Sequence, residues 1–126
     1  MPKKVLVVKV LVVDDDEEII DFLTDMLSVE GYNVSVAFDA LQAIQYAHRV
    51  RPSLILLDLV MPAGGGFKTL ESLKASTITR EIPIIILTGK GTEDDRKKAL
   101  EMGANDFIRK PFDPELLVER IKELTA

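Results

Sequence analysis

Short, nearly unbroken apolar runs alternate along the chain with longer stretches in which apolar residues recur at helical spacing. Val10 to Val13 and Ile84 to Leu87 are continuous runs and Leu54 to Leu59 is nearly so, as strands buried on both faces should be. Asn33 to Phe38 alternates polar and apolar residues like a strand with one less protected face, and Asp106 to Arg109 is a short fifth strand. Helical spacing predicts a first helix over Glu17 to Glu30, carried by Ile19, Ile20, Phe22, Leu23, Met26 and Leu27. A second over Ala40 to Val50 is carried by Leu41, Ile44 and Ala47, and a short third over Phe67 to Ala75 by Leu70 and Leu73. Thr92 to Met102 and Pro114 to Leu124 complete the set, the last an amphipathic helix with Leu116, Leu117, Val118, Ile121 and Leu124.

The punctuation supports these limits. Asp16 and Asp39 are placed as N-caps, Gly31 and Gly103 follow helix ends, and Arg51-Pro52 breaks the second helix. Met61-Pro62-Ala63-Gly64-Gly65-Gly66 reads as a mobile or tightly turned loop, and Lys110-Pro111 as a turn. Thr92 with Asp95 resembles a capping box, and Glu93/Lys97 and Asp94/Lys98 are spaced as i,i+4 ion pairs on a helix with few apolar residues. Five strands alternating with five helices, joined by right-handed crossovers, give an α/β fold: a doubly wound three-layer sandwich on a parallel sheet.

Composition narrows the classes. A chain of 126 residues is one domain's length, and 47% hydrophobic with 29% charged residues describes an ordinary folded domain. Without cysteine there is no disulfide, thiolate metal site or cysteine nucleophile, which agrees with a cytoplasmic address. The apolar stretch Val5 to Val13 is interrupted by Lys9, is too short to span a membrane and lacks a signal-peptide cleavage site, so no membrane insertion is expected. A net charge of -5 with no basic cluster interleaved with aromatics argues against direct nucleic-acid contact.

The chemistry lies at the ends of the runs. Val10 to Val13 stops at Asp14-Asp15, Leu54 to Leu57 at Asp58, Ile84 to Leu87 at Thr88, and Phe107-Ile108 leads through Arg109 to Lys110. Neighbouring parallel strands would bring three carboxylates, a hydroxyl and an ammonium into one crevice at their C-terminal ends. Asp58, the lone carboxylate closing the most buried run, is the best nucleophile for a phosphoryl group. Asp14 and Asp15 would hold a hard cation such as Mg²⁺, which relieves the repulsion among carboxylates. Thr88 and Lys110 would meet the charge that develops on the phosphoryl oxygens, with Arg109 on the opposite face of its strand. Taken singly, Thr88 reads as a turn residue and Lys110 as a surface cation; their shared location favours the functional reading. His48, the lone histidine, is read as a surface residue far from the crevice, so the phosphoryl group must come from another molecule.

Val12-Val13-Asp14-Asp15, Leu56-Leu57-Asp58-Leu59-Val60-Met61-Pro62, Leu87-Thr88-Gly89 and Lys110-Pro111-Phe112 together resemble the CheY-like receiver domain of two-component response regulators. The resemblance covers residues 9–126 and implies a flavodoxin-like (βα)5 sandwich of strand order 2-1-3-4-5. It implies Asp58 as phosphoacceptor, and Asp14, Asp15, Asp58 and the backbone carbonyl of Val60 as ligands of Mg²⁺, for which Mn²⁺ can substitute. A sensor histidine kinase or histidine phosphotransfer protein would be the donor, and slow hydrolysis of the acyl phosphate would follow: a phosphoacceptor switch, not a turnover enzyme. Thr88 and Phe107 would form the switch that reshapes the face of helix 4, strand 5 and helix 5 for a downstream protein target; Phe107 reads equally well as a core aromatic.

Other readings stay open. A receiver cut from a longer regulator, a pseudo-receiver acting only as an interaction module, and a homodimer are each compatible with the chain. An aspartyl-phosphate hydrolase is disfavoured, because such phosphatases need a second Asp where Val60 stands. The family commonly has an Asp in place of Gly65, which makes this loop looser than usual. Residues 1–8 are unusual: Val5-Leu6-Val7-Val8 is repeated by Val10-Leu11-Val12-Val13, and the second copy, which abuts Asp14, is the first strand. The extra β-prone segment could extend that strand, pair with a sheet edge or exchange between molecules, and it could be a natural insertion or an engineered duplication. Deleting Met1 to Val8 is expected to leave the site working.

Overall fold

The computed structural model describes residues 7–61 and 65–126. Five parallel strands lie in the order β2-β1-β3-β4-β5: β1 (Lys9–Val13), β2 (Asn33–Ala37), β3 (Leu54–Leu57), β4 (Ile84–Thr88) and β5 (Asp106–Arg109). Helices α1 (Glu17–Val29), α2 (Ala40–Val50), α3 (Gly65–Ala75), α4 (Glu93–Glu101) and α5 (Pro114–Thr125) alternate with them. This is the expected flavodoxin-like sandwich with the strand order that the resemblance implies, and the apolar content of the runs agrees with which strands lie inside. β1, β3 and β4 are the inner strands, and their side chains are nearly all buried. The edge strand β2 keeps its mixed pattern.

Alternation splits the core in two. Val10, Val12, Leu54, Leu56, Ile85 and Leu87 pack with Ile20, Leu23 and Leu27 of α1 and Leu117 and Ile121 of α5. Leu11, Val13, Ile55, Leu57, Ile84 and Ile86 pack on the other face with α2, α3, Ala99 of α4 and Phe107. Asp16, Asp39, Thr92 and Asp113 cap their helices, and the Thr92–Asp95 capping box forms in full.

Several local expectations change. Leu41 is 65% exposed, because α2 turns Ala43 and Ala47 inward, which lets the helix lie close to the sheet. Leu116 and Phe22 are likewise half exposed; Phe22 meets Phe112 edge-on, with centroids 6.1 Å apart. Neither i,i+4 pair on α4 forms: Glu93 pairs with Arg96 at 3.1 Å, and Lys98 lies 4.2 Å from the centroid of the Phe67 ring on α3. β3 ends at Leu57, before Asp58 and Leu59. Gly65 and Gly66 belong to α3 and not to the preceding loop; Pro62 to Gly64 lie outside the described residues.

Gly66 is required by a close approach. A Cβ there would come 2.3 Å from the Cα and carbonyl oxygen of Leu59, so α3 begins against the backbone that follows β3. Of the extra N-terminal segment, Met1 to Leu6 lie outside the described residues, and Val7 is exposed. Val8 packs against the core, and its carbonyl accepts the Asn33 N–H at 2.9 Å, which prolongs the β1–β2 ladder by one bond.

Candidate functional site

Register builds the site. Val13 pairs with both Ala37 and Leu57, so Asp14 and Asp58 leave adjacent strands at the same level. Their backbones are held there, Asp14 N–H donating to Ala37 at 3.1 Å and Asp58 N–H to Val13 at 3.0 Å. Leu57 pairs with Ile86, which sets Thr88 just beyond Asp58. Thr88 pairs with Arg109, which sets Lys110 one residue past the sheet. The resulting cleft, of about 330 Å³, is lined by Asp14, Asp15, Asp58, Val60, Thr88, Gly89 and Lys110 among others.

Asp14 (3% exposed) and Asp58 (7%) are buried, while Asp15 is exposed. One oxygen from each of the three lies within 4.8 Å of the others. Both oxygens of Asp14 have partners: Oδ1 accepts the Asp16 N–H at 2.9 Å, and Oδ2 accepts Lys110 Nζ at 2.7 Å. Lys110 Nζ stands 4.0 Å from Asp58 Oδ2, and Asp58 Oδ1 accepts the Val60 N–H at 3.1 Å. Burial pushes the Asp58 carboxyl above the usual carboxylate range, and the charge of Asp14 adds to this. The Val60 N–H, the nearby Thr88 hydroxyl and Lys110 pull the other way.

Thr88 is fully buried. Its hydroxyl donates to the Lys90 carbonyl at 3.2 Å and accepts the Lys90 N–H at 3.4 Å. Phe107 lies in the core cluster on the α4 side of the sheet. Arg109 points away from Lys110: its guanidinium donates to the Gly91 carbonyl and lies 5.3 Å from the Phe107 centroid. His48 stays away from the cleft but is half-buried, not a free surface residue. Its Nδ1 contacts the Ile44 carbonyl at 2.8 Å and its Nε2 the Ser76 hydroxyl at 3.0 Å, tying α2 to the end of α3. Sequence reading missed Gly66, Gly91 and the reach of Arg109. A glycine that makes room for a distant residue leaves no local pattern beyond its being glycine.

A parallel doubly wound sheet with clustered carboxylates, a threonine and a lysine at its C-terminal edge defines a CheY-like domain with an acidic crevice. The chain belongs to the response regulator receiver domain family of two-component systems, which it matches over residues 10–122. It is 40% identical over 114 residues to the phosphate regulon transcriptional regulatory protein PhoB of Escherichia coli (strain K12), covering 90% of this chain and 50% of PhoB. It is 42% identical over 116 residues to the transcriptional regulatory protein CpxR of the same organism, covering 92% of this chain and 48% of CpxR. The chain thus spans about half the length of these curated relatives.

Among solved structures it is similar to a CheY-like response regulator receiver domain protein from Methanospirillum hungatei. The TM-score is 0.87 at 30% identity, covering 94% of this chain and 93% of that one. It is also similar to the receiver domain of a sensor histidine kinase from Pseudomonas aeruginosa, which carries a magnesium ion coordinated in its active site cleft. Here the TM-score is 0.86 at 30% identity, covering 95% of this chain and 98% of that one. No helix among the described residues is long and apolar enough to cross a membrane.

Proposed function

We propose that the chain is a phosphoacceptor switch in which Asp58 takes a phosphoryl group from a histidine kinase or a histidine phosphotransfer protein. The observation that carries this reading is the grouping of Asp14, Asp15 and Asp58, with oxygens within 4.8 Å of one another, under Lys110 in a cleft open to a donor. In the transfer, an Asp58 oxygen forms the new bond to phosphorus as the bond to the donor imidazole nitrogen breaks. Electrons and proton stay with the imidazole, and Asp58 becomes an acyl phosphate.

The donor set fits Mg²⁺: hard oxygens, closely spaced and otherwise mutually repulsive. Asp14, Asp15, Asp58 and the Val60 carbonyl would hold it, and Mn²⁺ has the same oxygen preference. Bound there, the ion neutralises charge on the carboxylates and on the incoming phosphoryl oxygens. Lys110 already provides a cation at Asp14 and sits within reach of a group on Asp58. The Thr88 hydroxyl would leave the Lys90 carbonyl and donate to a phosphoryl oxygen.

That turn frees space on the α4 side, where Phe107 is packed, so the face formed by α4, β5 and α5 is the natural output surface for a downstream protein or a second copy of the chain. α4 suits this role because Ala99 is its one buried side chain, and weakly packed elements move most readily. The chain changes state by modifying itself and, on this reading, is no turnover enzyme; cytoplasmic kinases would be its partners. PhoB and CpxR are transcriptional regulatory proteins, and in such a regulator the domain would act on DNA indirectly, through an output module. Residues 1–8 would be dispensable for the chemistry.

Intact mass after incubation with acetyl phosphate and Mg²⁺ tests the proposal. One phosphoryl adduct that requires both Mg²⁺ and Asp58, and is lost in Asp58→Asn, is expected. Absence of the adduct where Mg²⁺ binds would favour a pseudo-receiver.

A further inference from the structure

Arg109 closes β5 outside the acidic cleft, and three contacts converge on it. Its guanidinium donates to the Gly91 carbonyl in the β4–α4 loop, stands 3.8 Å from Glu93 Oε2 in the first turn of α4, and lies 5.3 Å from the Phe107 centroid. Glu93 is held in turn by Arg96 at 3.1 Å. Gly91 closes over the same ring: a Cβ there would lie 2.8 Å from Phe107 Cζ and 3.2 Å from Thr88 Cγ2. One guanidinium therefore links the end of β5, the middle of the loop after Thr88, and the start of α4.

The loop is also tied to Thr88 through Lys90. Thr88 can donate to a phosphoryl oxygen only by giving up the Lys90 carbonyl, which removes one of the ties on the residues between Gly89 and Thr92. Arg109 grips that stretch at Gly91. We propose that Arg109 is a positioning residue, a latch that holds the β4–α4 loop and the first turn of α4 in the unphosphorylated arrangement and is released when Thr88 turns toward the phosphoryl group. The release half of this inference rests on the phosphoacceptor reading of Asp58. A partly exposed ion pair and a cation–π contact are individually weak, but α4 has little apolar packing to outweigh them.

Hydrogen exchange over residues 89–96, and affinity for beryllofluoride in the presence of Mg²⁺, should be compared in the full chain and in its Arg109→Gln and Arg109→Lys variants. Arg109→Gln is expected to exchange faster in this stretch without phosphate, and to bind beryllofluoride about three- to tenfold more tightly, because the competing arrangement is weakened. Arg109→Lys, which keeps the charge but not the planar fork, should fall between. Unchanged exchange in Arg109→Gln would overturn the latch, and weaker beryllofluoride binding would show that Arg109 supports the activated arrangement instead. If the unaltered chain took no beryllofluoride, the phosphoacceptor reading would fail and the release step with it, whereas the exchange comparison judges the latch by itself.

Discussion

Lys110 Nζ lies 2.7 Å from Asp14 Oδ2 and 4.0 Å from Asp58 Oδ2, so the ammonium of the cleft is hydrogen-bonded to Asp14 and pairs with the prospective acceptor only at longer range. The pair is almost out of water, with side-chain exposures of 16% and 4%. Lys110 thereby offsets, without metal, the repulsion between Asp14 and Asp58. It remains close enough to shift toward new negative charge on Asp58.

Lys110→Ala should leave Asp14 buried without its counter-charge, a loss of about 3 kcal/mol for a buried pair broken from one side. Thermal melts with and without Mg²⁺ check this: a lowered Tm in chelator and a larger Mg²⁺-dependent gain than in the unaltered chain are expected. Labelling by acetyl phosphate should fall about tenfold or more, because the charge aimed at the phosphoryl oxygens is gone.

Asp58→Asn should raise the Tm of the metal-free protein at neutral pH. The folded carboxyl is shifted above its ordinary value near 3.8, chiefly by burial, so between the ordinary and the raised value the folded state holds a proton the unfolded chain has released. Stability is therefore lost as pH rises from the ordinary value through the raised one, and the asparagine variant escapes that loss. Melts across pH should show the two proteins diverging upward through this window and converging below it. A constant difference at every pH would exclude titration of Asp58 as the cause.

Arg51 caps α2 in a left-handed conformation, φ 50° and ψ 66°, which most side chains find strained. Arg51→Gly should stabilise the fold by about 1 kcal/mol, reduced by the extra freedom of glycine in the unfolded chain. The effect reads as a rise of a few degrees in Tm with unchanged phosphoryl uptake.

Gly66→Ala should do the reverse. Its methyl would collide with the Leu59 backbone, which cannot move as a flexible side chain could. Since Leu59 lies between Asp58 and Val60, both stability and Mg²⁺ affinity should drop. A loss of about 3 kcal/mol or more is expected in chemical denaturation, with titration of Mg²⁺ into the surviving folded protein as the second readout.

Periodicity, run length and caps are local properties. They set the alternation of strands and helices, the caps at Asp16, Asp39 and Thr92, and the placing of Asp14, Asp58, Thr88 and Lys110 at the ends of apolar runs. That these four residues meet follows once parallel pairing is granted, because strands in register end at one level. Which apolar side chains stay at the surface, as with Leu41, Phe22 and Leu116, was settled by packing, since a helical stripe is wider than the face its sheet can cover. Packing also decided that Glu93 takes Arg96 and Arg109 in place of Lys97, and that Gly66 and Gly91 make room for Leu59 and Phe107. These contacts join residues distant in the chain, and their geometry depends on how whole elements dock. A local pattern can propose such partners, but only packing in three dimensions selects among them.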